Sequence, residues 1–347
     1  MRFADEFKSA VTPRAALLVI GVLALQLLFI ASYVGALHDP RPKDVAFGVV
    51  APGKAAEQTA DRLRKLPGKP LDPRTVKDEA AARHKIMSRE LDGALVVDPR
   101  GTTDTLLVAS GAGTALSRTL TTLTTEADAA EKRTVRTVDV APASNQDFNG
   151  LSSFYLVVGW CVGGYLCASI LAISAGSRAS NLPRAVLRLG TMALYSIVGG
   201  LGGAVIIGPV LGALPGSIMG LWGLGALVIF GVGAITLALQ ALTGVVGIGL
   251  AVLLIVIGGN PSAGGAFPLP MLPPFWKAIG PWLPPGAGTW TARSIAYFEG
   301  NAITWPLLVL AGWALVGTVV TLALSARRRP RSGSIDLSGT SYGQGVA

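Results

Sequence analysis

The chain alternates between apolar and polar blocks on the scale of a lipid bilayer. No charge falls between Ala15 and Val34, a run of about 20 residues. A polar stretch of just over a hundred residues follows. From Leu151 to Ala326 the chain is again almost wholly apolar, with its few charges gathered in short clusters. An apolar run of about 18 residues or more is long enough to cross a hydrocarbon core about 30 Å thick. Six runs of that order stand at 15–37, 151–176, 187–213, 217–239, 243–259 and 302–326, the fifth being the shortest. They do not alternate residue by residue, so helices are expected and barrel strands are not. The predicted fold is an α-helical polytopic membrane protein with six transmembrane helices and an α/β domain inserted between helices 1 and 2.

The first run is read as an uncleaved anchor (15–37). Val34-Gly35-Ala36 resembles a small-residue cleavage site, but the apolar stretch exceeds the 7–15 residues of a signal peptide. Before it, Phe3, Phe7 and Val11 fall at helical spacing opposite Asp5, Glu6 and Lys8. Residues 1–14 are therefore expected to form a cytoplasmic amphipathic helix lying on the membrane.

Within the polar block, 38–150, the pattern predicts alternating elements. Strands are expected at Val45–Val50, Ala94–Val97, Thr105–Ala109 and Val135–Val140. Helices are expected at Lys54–Leu66, Val76–Leu91 and Gly113–Lys132, the second with Ala80, His84, Met87 and Leu91 on one face. Such alternation suggests a sheet with helices packed on it.

The formal charge of +9 matters only through its location. Residues 38–150 carry 17 basic and 16 acidic side chains, whereas the residues after 150 carry nine basic and two acidic. The excess lies in Arg178, Arg184 and Arg188 and in Arg327, Arg328, Arg329 and Arg331, all beside spans. Positive charge flanking spans marks the cytoplasmic side. Both termini and the 177–188 loop are thus expected inside, and the 38–150 domain and the 259–301 loop outside. This layout gives no support to nucleic-acid binding. The tail 327–347 reads as basic and disordered, held at the anionic inner leaflet by its arginines.

Candidate chemistry is sparse. There is no phosphate-binding Gly-x-x-x-x-Gly-Lys-Ser/Thr loop, and two histidines, His38 and His84, cannot supply a triad or a metal set. No cofactor and no enzymatic site are expected. Cys161 and Cys167 lie six residues apart on one predicted helix and point about 240° apart, so they cannot pair with each other. No acidic residue lies in a predicted span, where ion-coupled carriers usually place an ionisable group. Gln26 and Gln240 are the main amides there, each expected to make a polar helix–helix contact. Gly159-x-x-x-Gly163, Gly199-x-x-x-Gly203 and Gly208-x-x-x-Gly212 are spacings that allow close helix approach.

The stretch 259–301 is unusual. It carries Asn260, Pro261, Pro268, Pro270, Pro273, Pro274, Pro281, Pro284 and Pro285 among apolar and aromatic residues including Trp276, Trp282 and Trp290. Prolines interrupt helices, yet a soluble loop would not be this apolar. A re-entrant or interfacial hairpin fits, with the tryptophans at headgroup level. Irregular backbone at that depth must be buried in protein or line a cavity, so this element is expected to cap the external side of the block 151–326.

With span order, external insert and proline-rich loop in place, the chain resembles the ABC-2 type permease superfamily, nearest its phage-infection-protein-like and nitrosoguanidine-resistance-like branch. The most specific match is Asn260-Pro261-Ser262-Ala263-Gly264-Gly265 followed by Phe267-Pro268-Leu269-Pro270-Met271-Leu272-Pro273-Pro274. The resemblance implies a homodimer or pseudo-dimer with a pathway between two six-span halves. In members that work with a separate ATPase, it implies contacts from the N-terminal helix and the first cytoplasmic loop, here Arg178, Arg184 and Arg188. Those arginines alternatively only set topology and bind anionic lipid. The function expected is export of a small amphipathic or lipid-like compound at the plasma membrane. The competing reading is a non-transporting receptor or scaffold acting through its external domain.

Overall fold

The computed structural model describes residues 12–176 and 179–327. The predicted amphipathic stretch with Phe3, Phe7 and Val11, the candidate Arg178, and the tail after Arg327 lie outside the described residues.

Helix α1 (Pro13–Leu37) starts where Thr12 turns its hydroxyl to accept from the Ala15 N–H, with proline at the first helical position. There the missing N–H costs nothing. The helix is apolar along its whole length and mostly exposed, as a surface facing lipid would be. Gln26 sits on this exposed surface and not in the expected helix contact.

The polar block folds as a five-stranded sheet with strand order β2-β1-β3-β4-β5. Its strands are β1 (Val45–Val50), β2 (Leu71–Thr75), β3 (Gly93–Val96), β4 (Thr103–Val108) and β5 (Thr134–Asp139). All neighbours run parallel except β3 and β4. Helices α2 (Lys54–Arg64), α3 (Glu79–Met87) and α4 (Thr114–Ala129) cover it. The period of two divides its side chains cleanly. Phe47, Val49, Leu95, Leu106 and Val108 join Leu63 of α2 and Leu116 and Leu120 of α4 in one core. Ala94 and Leu107 face the other way, onto Ala82 and Ile86 of α3. Ala82 and Ile86 of α3 pack inward; of the expected face, Ala80 and His84 point outward, whereas Met87 and Leu91 do pack on that core.

Five helices in the described residues are long and apolar enough to cross a membrane: 15–37, 152–175, 182–210, 218–243 and 304–326. The chain is therefore a polytopic membrane protein carrying a small α/β domain. After α1 these are α5 (Ser152–Ala175), α6 (Leu182–Val205, ending in a wide π turn at Ile206–Val210), α7 (Ile218–Thr243) and α11 (Thr304–Ala326). The predicted fifth span falls on a shorter apolar helix, Val246–Ser262. It starts as α8 (Val246–Val252) and widens into π turns at Leu253–Gly259. This helix lies along α1, where the Ser32 hydroxyl donates to the Ile257 carbonyl.

Helix α7 is the most buried of the five and sits at the centre of the block, with α5, α6 and α11 packed around it. Glycine sets the distances. A Cβ at Gly200 would meet the Ala226 backbone nitrogen at 2.6 Å, and one at Gly164 would meet the Ile229 carbonyl at 2.7 Å. Of the predicted pairs, Gly203 closes on Trp160, whereas Gly159 and Gly212 face open space. Spacing alone does not say which glycine faces a neighbour. Gln240, as expected, is buried and donates to the Ala168 carbonyl of α5 at 3.3 Å. Cys161 and Cys167 are both free thiols.

Candidate functional site

The proline-rich stretch forms a platform between the membrane block and the α/β domain. After Ser262 the chain turns through Gly264 (φ +70°) into Pro268–Leu272. It then forms the short helix α9 (Pro274–Ile279) and the helix α10 (Pro284–Tyr297). Prolines start both helices and break the chain between them, so no span-length helix can form. Met271 inserts into the core of the α/β domain, with Phe267 packed beside it. The Pro270 carbonyl accepts from the Lys43 N–H at 3.0 Å. The α/β domain is thus seated on this stretch.

Two arginines hold the junction. Arg293 of α10 is 4% exposed. It donates to the carbonyls of Gly264 (2.7 Å), Gly265 (2.8 Å) and Gly150 (3.1 Å). It thereby ties the turn after Ser262 to the linker that enters α5. Nearby, the Tyr297 hydroxyl donates to Asp147 at 3.2 Å, and Asp147 accepts from the Ser152 N–H at 2.9 Å. Arg89, just after α3, reaches across from the domain. It donates to the Trp290 carbonyl (2.9 Å) and the Ser294 hydroxyl (2.8 Å), with its guanidinium 3.4 Å from the centre of the Trp290 ring. Burial, and then the like charge of Arg293, bring the Arg89 guanidinium down to about 9, so it remains a cation at neutral pH. Burial raises the neighbouring Asp92 carboxyl, against the attraction of Arg89.

Between these groups lies a cavity of about 450 Å³. Arg89, Asp92, Trp290 and Arg293 give it a charged, aromatic end. Pro268, Pro270, Ala287 and Trp305 are among its apolar walls.

The sequence-predicted residues are dispersed around this site. Pro268 and Pro270 line the cavity. Asn260 and Pro261 are buried in the last turn of the Val246–Ser262 helix. Pro273 and Pro274 start α9. Trp276 lies against Phe275, and Trp282 is exposed, edge-on to Trp305 with ring centres 4.9 Å apart. Trp290 turns inward under Arg89 and donates to the Ala302 carbonyl at 3.0 Å. It does not sit on the outer surface beside Trp282.

At the opposite end of the block the arginines separate. The α5–α6 turn lies there because α5 starts beside the domain and runs away from it. Arg188 is 8% exposed, and its guanidinium donates to the carbonyls of Ala175 (2.8 Å) and Gly176 (2.6 Å) at the end of α5. That hydrogen bonding, all from one guanidinium nitrogen, fastens the hairpin. Arg184 is exposed.

Arg89, Asp92 and Arg293 were not singled out from sequence. A signal for Arg293 exists: it is one of only three charged residues, with Lys277 and Glu299, between 189 and 326. A lone arginine in so apolar a stretch needs internal acceptors.

A second charged cluster lies in the α/β domain. Asp104 is buried and pairs with Arg133 (Nε–Oδ2 2.7 Å), while fully buried Asp128 pairs with Arg62 at 3.2 Å. Burial, and then the adjacent Asp104 carboxylate, push Asp128 up to about 6, and its Oδ2 has no donor. An unfolded aspartate titrates near 3.9. The protonated Asp128 therefore stabilises the fold fully below about pH 4, and that contribution is lost as the pH rises through about 6. Asp128→Asn keeps the shape and removes the titration. Relative to wild type, its unfolding midpoint should rise by about 3 °C between pH 5 and pH 7.5, read by thermal unfolding of the full chain in detergent. A constant difference across that range would exclude a protonated Asp128.

Among the described residues no cluster of His, Cys, Asp or Glu could hold a metal ion. No family model, no curated protein and no solved structure matches the chain. What fold and site define is a class: a multi-pass membrane protein whose α/β domain is clamped onto a proline-rich platform over an amphipathic cavity.

Proposed function

We propose that the chain is a six-span, ABC-2-type permease-like protein that exports a small amphipathic or lipid-like compound. The sixth span in this reading is the short helix Val246–Ser262. The observation that carries the proposal is the cavity itself. It lies at the junction of membrane block and domain, apolar on most walls and charged at one end, as a binding site for an amphipathic solute would be. The architecture adds support through the resemblance to the permease family, which is an analogy of fold. The cytoplasmic end in this reading is the one bearing Arg184, Arg188 and Arg327, in keeping with positive charge inside. Both termini are then cytoplasmic in a plasma membrane, and two copies associate. Any ATP-derived energy enters through a separate subunit. Arg184 and Arg188 are the described candidates from the first loop for that contact, Arg184 being the exposed one and Arg188 having one guanidinium nitrogen committed to the end of α5.

The test is accumulation of a panel of amphipathic compounds in cells lacking the protein. Accumulation of at least one should rise and return to normal on complementation. Unchanged accumulation across the panel would sink the proposal. One observation favours the receptor reading: Arg89 and Asp92 come from the external domain, so a ligand in the cavity would touch domain and membrane block together. A ligand-dependent response with unchanged efflux would select it.

A further inference from the structure

Trp305 is one wall of this cavity. That residue also lines a second, apolar groove of about 480 Å³ along the outer face of α11, with Trp282, Leu308, Val309, Trp313 and Val316. Trp305 and Leu308 are 51% and 60% exposed, on a helix of span length, so the groove opens toward lipid. Its frame is fixed, because the Trp313 indole donates to the Trp282 carbonyl at 2.8 Å and Trp282 meets Trp305 edge-on. From Trp305 to Val316 the helix rises about 16 Å, the scale of a medium-length acyl chain.

Within the cavity the guanidiniums lack a carboxylate in direct contact: among the described residues neither Arg89 nor Arg293 has one within ion-pair distance. Arg293 is almost fully buried, and its Nε has no hydrogen-bond partner. Arg89 commits one nitrogen to Trp290 and Ser294. Asp92 is the lone carboxylate lining the cavity. Asp147, near Arg293, is engaged by Tyr297 and Ser152. Asp92 and Asp147 offset the two guanidiniums only from a distance, so an incoming anion would supply the direct contact that neither has.

We propose that cavity and groove together bind one anionic amphiphile from the adjoining leaflet. Its acidic headgroup, a phosphate or a carboxylate, lies beside Arg89 and Arg293, and its apolar chain runs down the α11 groove. The inference shares with the permease reading the premise that the cavity is a ligand site, and it names the class of that ligand.

The test is native mass spectrometry of the full-length protein in phosphatidylcholine nanodiscs, titrated separately with phosphatidylglycerol, palmitate and inorganic phosphate. Phosphatidylglycerol or palmitate should be retained at one per chain, and which of the two binds more tightly identifies the headgroup. Arg89→Gln should weaken retention about tenfold or more. Asp92→Asn should strengthen it about threefold, because it removes the one carboxylate lining the cavity. This opposite sign separates recognition from loss of folding, since the amide keeps the carbonyl that accepts from the Ala46 N–H. Leu308→Trp, on the lipid face, should weaken palmitate binding by blocking the groove. Phosphatidylcholine retained as tightly as either anion would overturn the charge assignment, as would no change in Arg89→Gln. Inorganic phosphate binding as tightly as the amphiphiles would overturn the role of the groove. None of these results alters compound accumulation in cells, so the class of ligand can fail while the permease reading stands.

Discussion

Arg293→Met is expected to lower the unfolding midpoint of the detergent-solubilised protein by about 6–12 °C. The argument rests on what the guanidinium holds. One planar fork satisfies three carbonyls from two separate segments, Gly264 and Gly265 on the platform and Gly150 at the entry to α5. Methionine fills a similar volume but donates nothing. A buried carbonyl left without a donor costs about 1–3 kcal/mol, so three should cost about 3 kcal/mol or more even after partial rehydration. Lysine should rescue little, since an ammonium cannot reproduce the planar fork. The loss should also be local in origin. Limited proteolysis is expected to cut the linker 141–151 in the variant well below the temperature at which the membrane helices unfold. A midpoint within about 1 °C of wild type would mean that the domain is seated by Met271, Arg89 and Tyr297 without this clamp.

The same residue shows where sequence reading stops. The apolar runs were legible because bilayer thickness imposes one length on all of them. The first strand was legible because Val45-Ala-Phe-Gly-Val-Val is buried almost throughout. Strand β2 was not. Leu71-Asp-Pro-Arg-Thr carries a proline and two charges, and it is tolerated only because β2 is an edge strand. The shortest predicted span is the helix from Val246, whose π turns at Leu253–Gly259 run directly into Pro261, a residue that cannot continue the regular hydrogen-bond ladder. In the cavity, Pro268 and Pro270 were picked out by their oddity in an apolar segment. Arg89 was hidden among the many charges of a solvated domain, and nothing near it in sequence says that it will lie on Trp290, 201 positions away.

Gly317→Ala is expected to destabilise the membrane block, and Gly317→Leu to prevent its assembly, although both substitutions are apolar and favour helix. Helix α11 lies directly on the backbone of α7 at this position. A Cβ at Gly317 would stand 2.5 Å from the Ala234 carbonyl carbon and 2.9 Å from its Cβ, and it would also press on the Ile235 backbone nitrogen. These are mainly backbone atoms of the central helix, so no rotamer change relieves the contact. The helices must separate, and α7 cannot retreat because Gly164 and Gly200 hold α5 and α6 equally close on its other sides. Overpacking of this kind costs about 1–3 kcal/mol for one methyl, and more for a leucine. The comparison that isolates the cause lies on the same helix. A Cβ at Gly312 meets nothing within 4 Å, so Gly312→Ala should leave the stability within about 0.5 kcal/mol of wild type. Thermal unfolding of the three variants, with monodispersity on size-exclusion chromatography, decides the matter. Equal midpoints for Gly312→Ala and Gly317→Ala would show that α11 does not pack against α7 at this distance. That would remove the fixed wall on which the groove beside Trp305 and Trp313 depends.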